Sequence, residues 1–148
     1  MISVLMTTYR EPLEILRASV ESILSQTYRD LEFIVILDDP DNQPAMDLLF
    51  SFAEADPRLK VEINASNLKQ RKSLNRALEL ATGEYVARMD ADDISLPERL
   101  ELQLDYLTRN DLDLIGGLVQ IMDEEGNVSE MSGIIKGKVL NVLNNQLN

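Results

Sequence analysis

The chain contains no cysteine and no histidine. Without cysteine there is no disulfide and no thiolate metal site, and nothing points to an oxidising compartment. Without either residue there is no Ser–His or Cys–His nucleophile system. Basic residues are scarce as well. The 14 Lys and Arg stand against 26 Asp and Glu, a formal net charge of -12. A surface this acidic argues against nucleic acid as a partner, because a phosphate backbone needs clustered Lys and Arg. It argues equally against simple electrostatic docking on anionic lipid. No apolar run approaches the roughly 20 residues of a membrane span. The start, MISVLMTTYR, has neither the basic nor the long apolar segment of a signal peptide. Neither G-x-G-x-x-G nor G-x-x-x-x-G-K occurs, so no Gly-rich phosphate loop is expected. The expected location is cytoplasmic.

What is present has an ordinary globular balance, with 45% apolar and 27% charged residues. A length of 148 residues suits one domain over 1–148 with a sizeable core. Apolar runs alternate with helical patterns. ISVLM (2–6) and LEFIVIL (31–37) are continuous runs, as expected of strands buried on both faces. KVEIN (60–64) and EYVARM (84–89) are two more strands. Helical spacing appears in 11–26, 43–55, 69–83 and 95–110. Pro12 suits a first helical turn, and Gly83 suits a C-terminal cap. Ser95 and Glu98 have capping-box spacing. LDLIGGLVQIMD (112–123) reads as a fifth strand, and the acidic stretch Asp123-Glu124-Glu125 reads as a plain hairpin turn. Strand–helix alternation predicts an α/β domain with a mostly parallel sheet. Ligands of such sheets sit outside the carboxyl ends of the strands. That rule selects Thr7–Glu11, Asp38–Asp41 and Asp90–Asp93.

Asp90-Ala91-Asp92-Asp93 is the sharpest signal. Carboxylates at i and i+2 in an extended turn can converge on one hard cation. Mg2+ or Mn2+ takes oxygen ligands, keeps some waters and bridges to phosphates. The bland alternative is an acidic loop lying against the positive N-terminus of the next helix. An EF-hand does not fit, because Ser95 falls where that loop needs glycine. Asp38 and Asp39 could accept from a base N–H or a ribose hydroxyl, although DDPDN also has the composition of a turn. Thr7, Thr8 and Tyr9 offer hydroxyls and an aromatic face, and also fit routine strand termination. Lys69, Arg71 and Lys72 could meet diphosphate oxygens or simply form a solvated helix start. Arg88, within a strand, could neutralise the aspartates.

Taken in order, SVLMTTYRE, SILSQTYRDLEFIVILDDPDN and LNRALELATGEYVARMDADDISLPERLELQ resemble the family 2 glycosyltransferases with the GT-A fold. The similarity covers residues 2 to about 125, and GEYVARMDADD followed by LPERL is its most specific block. The resemblance implies a Rossmann-like, three-layer α/β/α fold with a mostly parallel central sheet. It implies metal-dependent, inverting transfer of a hexosyl group from a nucleoside-diphosphate sugar to an acceptor hydroxyl. The setting it implies is bacterial-type polysaccharide or glycoconjugate synthesis. A UDP-sugar is the first expectation for the donor, and a glycan or lipid-linked molecule for the acceptor. Thr7 and Tyr9 match positions lining the nucleoside pocket, with Glu11 at its rim. Asp38 or Asp39 matches the base-reading carboxylate. Lys69 and Lys72 lie toward the diphosphate. Asp90-Ala91-Asp92 matches the Asp-x-Asp donor motif, with Asp92 as the direct ligand of Mn2+ or Mg2+ and Asp90 toward the ribose.

The sequence departs from the family pattern in places. Family members often carry glycine where Lys69 stands, Asn where Arg10 stands, and Asp-Asp-Gly-Ser where Asp38-Asp39-Pro40 begins. The family's general base lies in the second half of the fold, so no catalytic residue is expected here and the base is expected beyond Asn148. The expectation is therefore a C-terminally truncated, donor-binding fragment. A missing C-terminal region is where peripheral association with the inner membrane face would reside. Nucleotidyl transfer on the same residues, or a non-catalytic nucleotide-sugar-binding module, remain the rival functions.

Overall fold

A computed structural model describes residues 1–117 and Gln120. Four strands alternate with four helices: β1 (Ile2–Thr8), α1 (Leu13–Leu24), β2 (Leu31–Leu37), α2 (Gln43–Ala55), β3 (Leu59–Ile63), α3 (Lys69–Leu80), β4 (Tyr85–Asp90) and α4 (Arg99–Arg109). The strands form one parallel sheet in the order β3-β2-β1-β4. Every residue of β2 is buried, Glu32 included, which is why LEFIVIL does not read as an alternation.

The connections explain the layers. Crossovers between parallel strands are right-handed. The chain steps from β1 to β2 to β3 in one direction, so α1 and α2 fall on the same face, where they pack together. It then returns across the sheet to β4, which puts α3 on the opposite face. There Leu5, Ile34 and Ile36 meet Ala77, Leu74 and Ala81. The intervening residues Val4, Met6, Phe33 and Val35 have opposite parity and are fully buried on the other face.

Several boundaries differ from the sequence expectation. β1 continues through Thr8, and β4 takes Asp90 as its last residue. Helix α1 starts at Leu13, with Pro12 as its N-cap in an extended conformation. Helix α4 starts at Arg99, so the Ser95–Glu98 capping box does not define it. Ser95 is instead buried and held by α1 and the residues just after it. Residues 112–117 form no strand, and most of the rest of the expected strand 112–123, with the 123–125 turn, lies outside the described residues.

Gly83 is not a helix cap, because α3 ends at Leu80 with Ala81 extended. It is required by a close approach to β1. A Cβ there would lie 2.6 Å from Ser3 Oγ and 2.7 Å from Ser3 N. The Gly83 N–H donates to Ser3 Oγ at 2.8 Å. Gly83→Ala is therefore expected to destabilise the chain by about 1–3 kcal/mol, read as a lower midpoint in urea unfolding.

The chain divides into two compact units, residues 1–100 and 101–148, and every residue discussed below as part of the site lies in the first. The expectation of one domain over 1–148 extends into residues outside the described ones. In the second unit, Asp111 takes φ 51 just past α4. Leu112 N donates to Leu107 O and Asp111 N to Thr108 O, a Schellman closure with Asp in the usual glycine position. Among the described residues, no helix is long and apolar enough to cross a membrane.

Candidate functional site

The sheet order reverses between β1 and β4, and the crevice at such a switch point is where open α/β sheets bind ligands. A cleft lies there, lined by Thr7, Thr8, Tyr9, Glu11, Asp38 and Gln70. Thr7 stands opposite Ile36 of β2 and Asp90 of β4, so the strand register brings the three carboxyl ends level.

At the end of β1, Glu11 folds back. Its Oε2 accepts from Thr8 Oγ1 at 2.6 Å and from Tyr9 N at 2.7 Å. This sets the direction of the loop. Asn42 Nδ2 donates to Tyr9 O at 3.1 Å. The Arg10 guanidinium lies 4.7 Å from the centroid of the Tyr9 ring, and its Nε donates to Asp39 Oδ2 at 2.8 Å. That hydrogen bond from Arg10 holds the Asp39 carboxyl below the usual range and raises the guanidinium in turn. Asp39 is thus neutralised by Arg10, the residue that departs from the family pattern, and it does not line the cleft.

Asp38 is buried, and it does line the cleft. Its Oδ1 accepts from Asn64 Nδ2 at 2.6 Å and Leu68 N at 2.7 Å, and its Oδ2 accepts from Lys69 N at 2.9 Å. Burial pushes its carboxyl up, and donation from Leu68, Asn64, Lys69 and Ser73 outweighs it, leaving the group below the usual range. Asp38 therefore also ties the 64–69 loop to the sheet. Lys69 pays for this geometry with φ 70, a left-handed conformation that favours glycine. Lys69→Gly is expected to raise stability by about 1 kcal/mol while keeping the N–H to Asp38, measured by urea unfolding.

The basic residues stand apart from the cleft. Lys69, Arg71 and Lys72 are exposed on the first turn of α3. Gln70, which sequence reasoning passed over, lines the cleft and donates to Asp90 Oδ1 at 3.3 Å.

β4 delivers the aspartates. Arg88 NH2 reaches both Asp90 oxygens, at 2.7 and 2.9 Å, as the sequence suggested for this arginine. Ala91 is buried, which anchors the turn between two charged neighbours. Asp92 is exposed, and no donor among the described residues meets its carboxylate. Asp93 N donates to Asp90 O at 3.2 Å and closes the turn. Partial burial, then the charges of Asp92 and Asp90, push the Asp93 carboxyl up, with Arg99 opposing. Arg99 is itself held down by burial, and its NH2 donates to Arg88 O at 2.9 Å.

Sequence reasoning also missed what holds this loop from below. Ser19 Oγ donates to Asp90 O at 3.2 Å, and Ser22 Oγ accepts from Ser95 N at 3.0 Å. Gln26, fully buried, reaches Leu96 O at 2.7 Å. Ser19, Ser22 and Gln26 recur at helical spacing within an otherwise apolar face. That polar interruption was the available signal.

Comparison with known proteins gives the family and the fold. The sequence matches Glycosyl transferase family 2 over residues 3–146. The glycosyltransferase MJ1057 of Methanocaldococcus jannaschii is 43% identical over 129 residues, covering 86% of this chain and 44% of that protein. The O-antigen biosynthesis glycosyltransferase WbnJ of Escherichia coli is 37% identical over 129 residues, covering 85% and 49%. The chain thus spans about half the length of the curated relatives it matches. Among solved structures, S. aureus TarS in complex with UDP-GlcNAc shares the fold, with a TM-score of 0.68 at 23% identity over 76% of this chain and 32% of that one. The mannosyltransferase PcManGT of Pyrobaculum calidifontis, in complex with GDP-Man and Mn2+, has a TM-score of 0.61 at 27% identity, covering 72% and 32%. The fold is GT-A, and the chain belongs to glycosyl transferase family 2.

Proposed function

We propose that this chain binds the nucleoside-diphosphate sugar of a metal-dependent, inverting glycosyltransferase that acts in polysaccharide or glycoconjugate synthesis. The observation that carries the proposal is the cleft at the β1–β4 switch point. It gathers Thr7, Thr8, Tyr9, Glu11, Asp38 and Gln70, and Asp90 stands beside it, level with Thr7 and hydrogen-bonded by Gln70. PcManGT, with GDP-Man and Mn2+ bound, supports both a nucleotide-sugar donor and a divalent cation for this fold.

The nucleoside is assigned to the Thr7, Tyr9 and Asp38 side. Arg10 covers part of the Tyr9 ring, so the base stacks on the exposed remainder or along its edge. Glu11 fixes the loop rather than the base. Asp38 faces the cleft with its carboxylate already held by Asn64, Leu68, Lys69 and Ser73, so a base N–H or ribose hydroxyl would share or replace one of these donors. Lys69 and Lys72 are assigned to long-range attraction of the diphosphate, and Gln70 to direct contact.

The donor set fits a hard cation. Asp92 offers an uncommitted carboxylate, while Asp90 is shared with Arg88 and Gln70. No group of three or more acidic residues gathers into a self-sufficient site among the described residues. Mg2+ or Mn2+ tolerates this, since water and diphosphate oxygens supply the remaining ligands. When bound, the cation would stabilise the negative charge that develops on the leaving diphosphate. Asp92 would hold it, and Asp90 would face the ribose. None of the described carboxylates is assigned to deprotonate the acceptor. A cytoplasmic location fits a soluble nucleotide-sugar donor.

Titration calorimetry of the chain with UDP, GDP and dTDP, with and without Mn2+, tests the proposal. Binding of at least one nucleotide that Mn2+ strengthens is expected. A folded sample that binds none of them would overturn it.

A further inference from the structure

We propose that Gln26, with Ser22 and Ser19, positions the cation-holding loop, acting through the backbone of residues 90–96 and touching neither cation nor nucleotide. The inference rests on the assignment of Asp92 to the cation.

The geometry is that of a brace with two feet. Ser19 Oγ holds the Asp90 carbonyl at 3.2 Å, where the loop leaves β4. At the far side, Ser22 Oγ accepts from Ser95 N at 3.0 Å. Gln26 Nε2 donates to Leu96 O at 2.7 Å, to Ser95 Oγ at 3.1 Å and back to Ser22 O at 3.0 Å. Its Oε1 accepts from Leu100 N at 3.1 Å, on the first turn of α4. Thr27 N adds a bond to Pro97 O at 2.8 Å. Both ends of the segment that carries Asp92 and Asp93 are therefore fixed by α1 and the residues that follow it.

The physical need for such a brace is charge. Asp90, Asp92 and Asp93 repel one another, and a loosely held loop would relax by spreading them. Arg88 pairs directly with Asp90, and only the weaker fields of Arg99 and Arg88 reach Asp93. Gln26 and Ser19 are fully buried and Ser22 nearly so, so their bonds are shielded from competing water. A satisfied buried polar network of this kind is rigid, and its loss leaves carbonyls and N–H groups without partners. Groups behind metal ligands typically tune metal affinity by about 10–100-fold when removed. Gln26 has no exposed surface, so it can act only through the loop it holds.

The test compares Gln26→Met, Ser22→Ala and, as a control, Ser3→Ala at the opposite end of the sheet. Mn2+ binding in the presence of UDP or GDP is followed by the spin-resonance signal of free Mn2+, and metal-free nucleotide binding by calorimetry. Gln26→Met and Ser22→Ala are each expected to weaken the Mn2+-dependent component about 10-fold or more, leaving metal-free nucleotide affinity within about twofold. Ser3→Ala is expected to lower unfolding stability without this split. Ser22→Ala, a single hydroxyl removed from a helix, keeps the test decisive if Gln26→Met does not fold. Losses no larger than those of Ser3→Ala would overturn the inference and leave the donor-site proposal standing. A wild-type chain with no Mn2+-dependent binding would overturn both.

Discussion

Asp92→Ala is expected to weaken Mn2+-dependent nucleotide binding by about 100-fold or more, the scale of losing several kcal/mol of charge stabilisation. Asp93→Ala is expected to weaken it by less than about tenfold, below the loss typical of groups that orient metal ligands. The two residues are neighbours of identical chemistry, so only their surroundings can separate them. Both are exposed, and among the described residues no donor meets either carboxylate, so the difference lies in the backbone and the neighbouring charge. Asp93 belongs to the turn, with its N–H on the Asp90 carbonyl and its carboxyl within the field of Arg99. Titration calorimetry of both variants with Mn2+ and nucleotide is the measurement. Equal losses would refute the division of roles.

Glu32→Gln is expected to cost about 3 kcal/mol near neutral pH, a large share of a typical domain's stability. Glu32 is buried at the amino end of β2, on the far side of the sheet from the cleft. Its Oε2 accepts from Lys60 Nζ of β3 at 2.6 Å. Its Oε1 accepts from Ser3 Oγ of β1 at 2.6 Å and from Thr82 N, just before β4, at 2.6 Å. One carboxylate thus links β1, β2 and β3 to the segment that leads into β4. Burial pushes its pKa up, but the donors from Lys60, Ser3 and Thr82 prevail and lower it from 4.5 to about 2.

The sign follows from that direction. A carboxyl with a depressed folded pKa binds its proton more readily in the unfolded chain. Its stabilisation is complete above pH 4.5 and is lost as the pH falls toward about 2. The stability gap between wild type and Glu32→Gln should therefore shrink from about 3 kcal/mol near pH 6 to about 1 kcal/mol near pH 3. Urea unfolding of both proteins at the two pH values checks it. A gap that stays constant or widens on acidification would show that Glu32 does not carry this role.

These two predictions mark what the sequence made legible. The loop around Asp92 was visible because its chemistry is local: carboxylates two apart, directly after a strand-like run. The strand order is another matter. Periodicity identified the runs that became β1 to β4, but their order β3-β2-β1-β4 rests on pairings between residues far apart in sequence, which no local pattern carries. Glu32 was hidden inside LEFIVIL, since an unbroken buried run conceals a single charge whose partners lie 28 to 50 residues away. Gln26 and Ser22 were hidden for the same reason, with partners 69 to 74 residues away in sequence. Boundary errors had the same origin. Ser95 has the spacing of a helix cap, but tertiary hydrogen bonds claim its side chain and its N–H, and α4 begins only at Arg99. Gly83 and Lys69 exchange expectations. The glycine is needed for close packing against Ser3, and the lysine occupies the left-handed position where glycine fits best.

The basic residues carry a similar lesson. Lys69, Arg71 and Lys72 form an obvious cluster in the sequence, yet the cleft takes Gln70 from among them. A helix turns about 100° per residue, so neighbours in sequence cannot all face one ligand. Arg10 shows the reverse. It looks like a simple departure from a family pattern, but it pairs with Asp39 and lies against Tyr9. In the proposed donor pocket the second aspartate is thus already neutralised, and Asp38 is the carboxylate assigned to the nucleoside.

The central claim is that nucleotide and cation meet at the β1–β4 switch point. Paramagnetic broadening by Mn2+ tests it most directly, with amide resonances of the chain recorded in the presence of UDP or GDP. Selective broadening at Thr7–Glu11, Gln70 and Asp90–Asp93 is predicted, with Ser3, Glu32, Lys60 and Thr82 at the other end of the sheet left sharp. Broadening centred on that opposite end, or spread evenly over the acidic surface, would contradict the account.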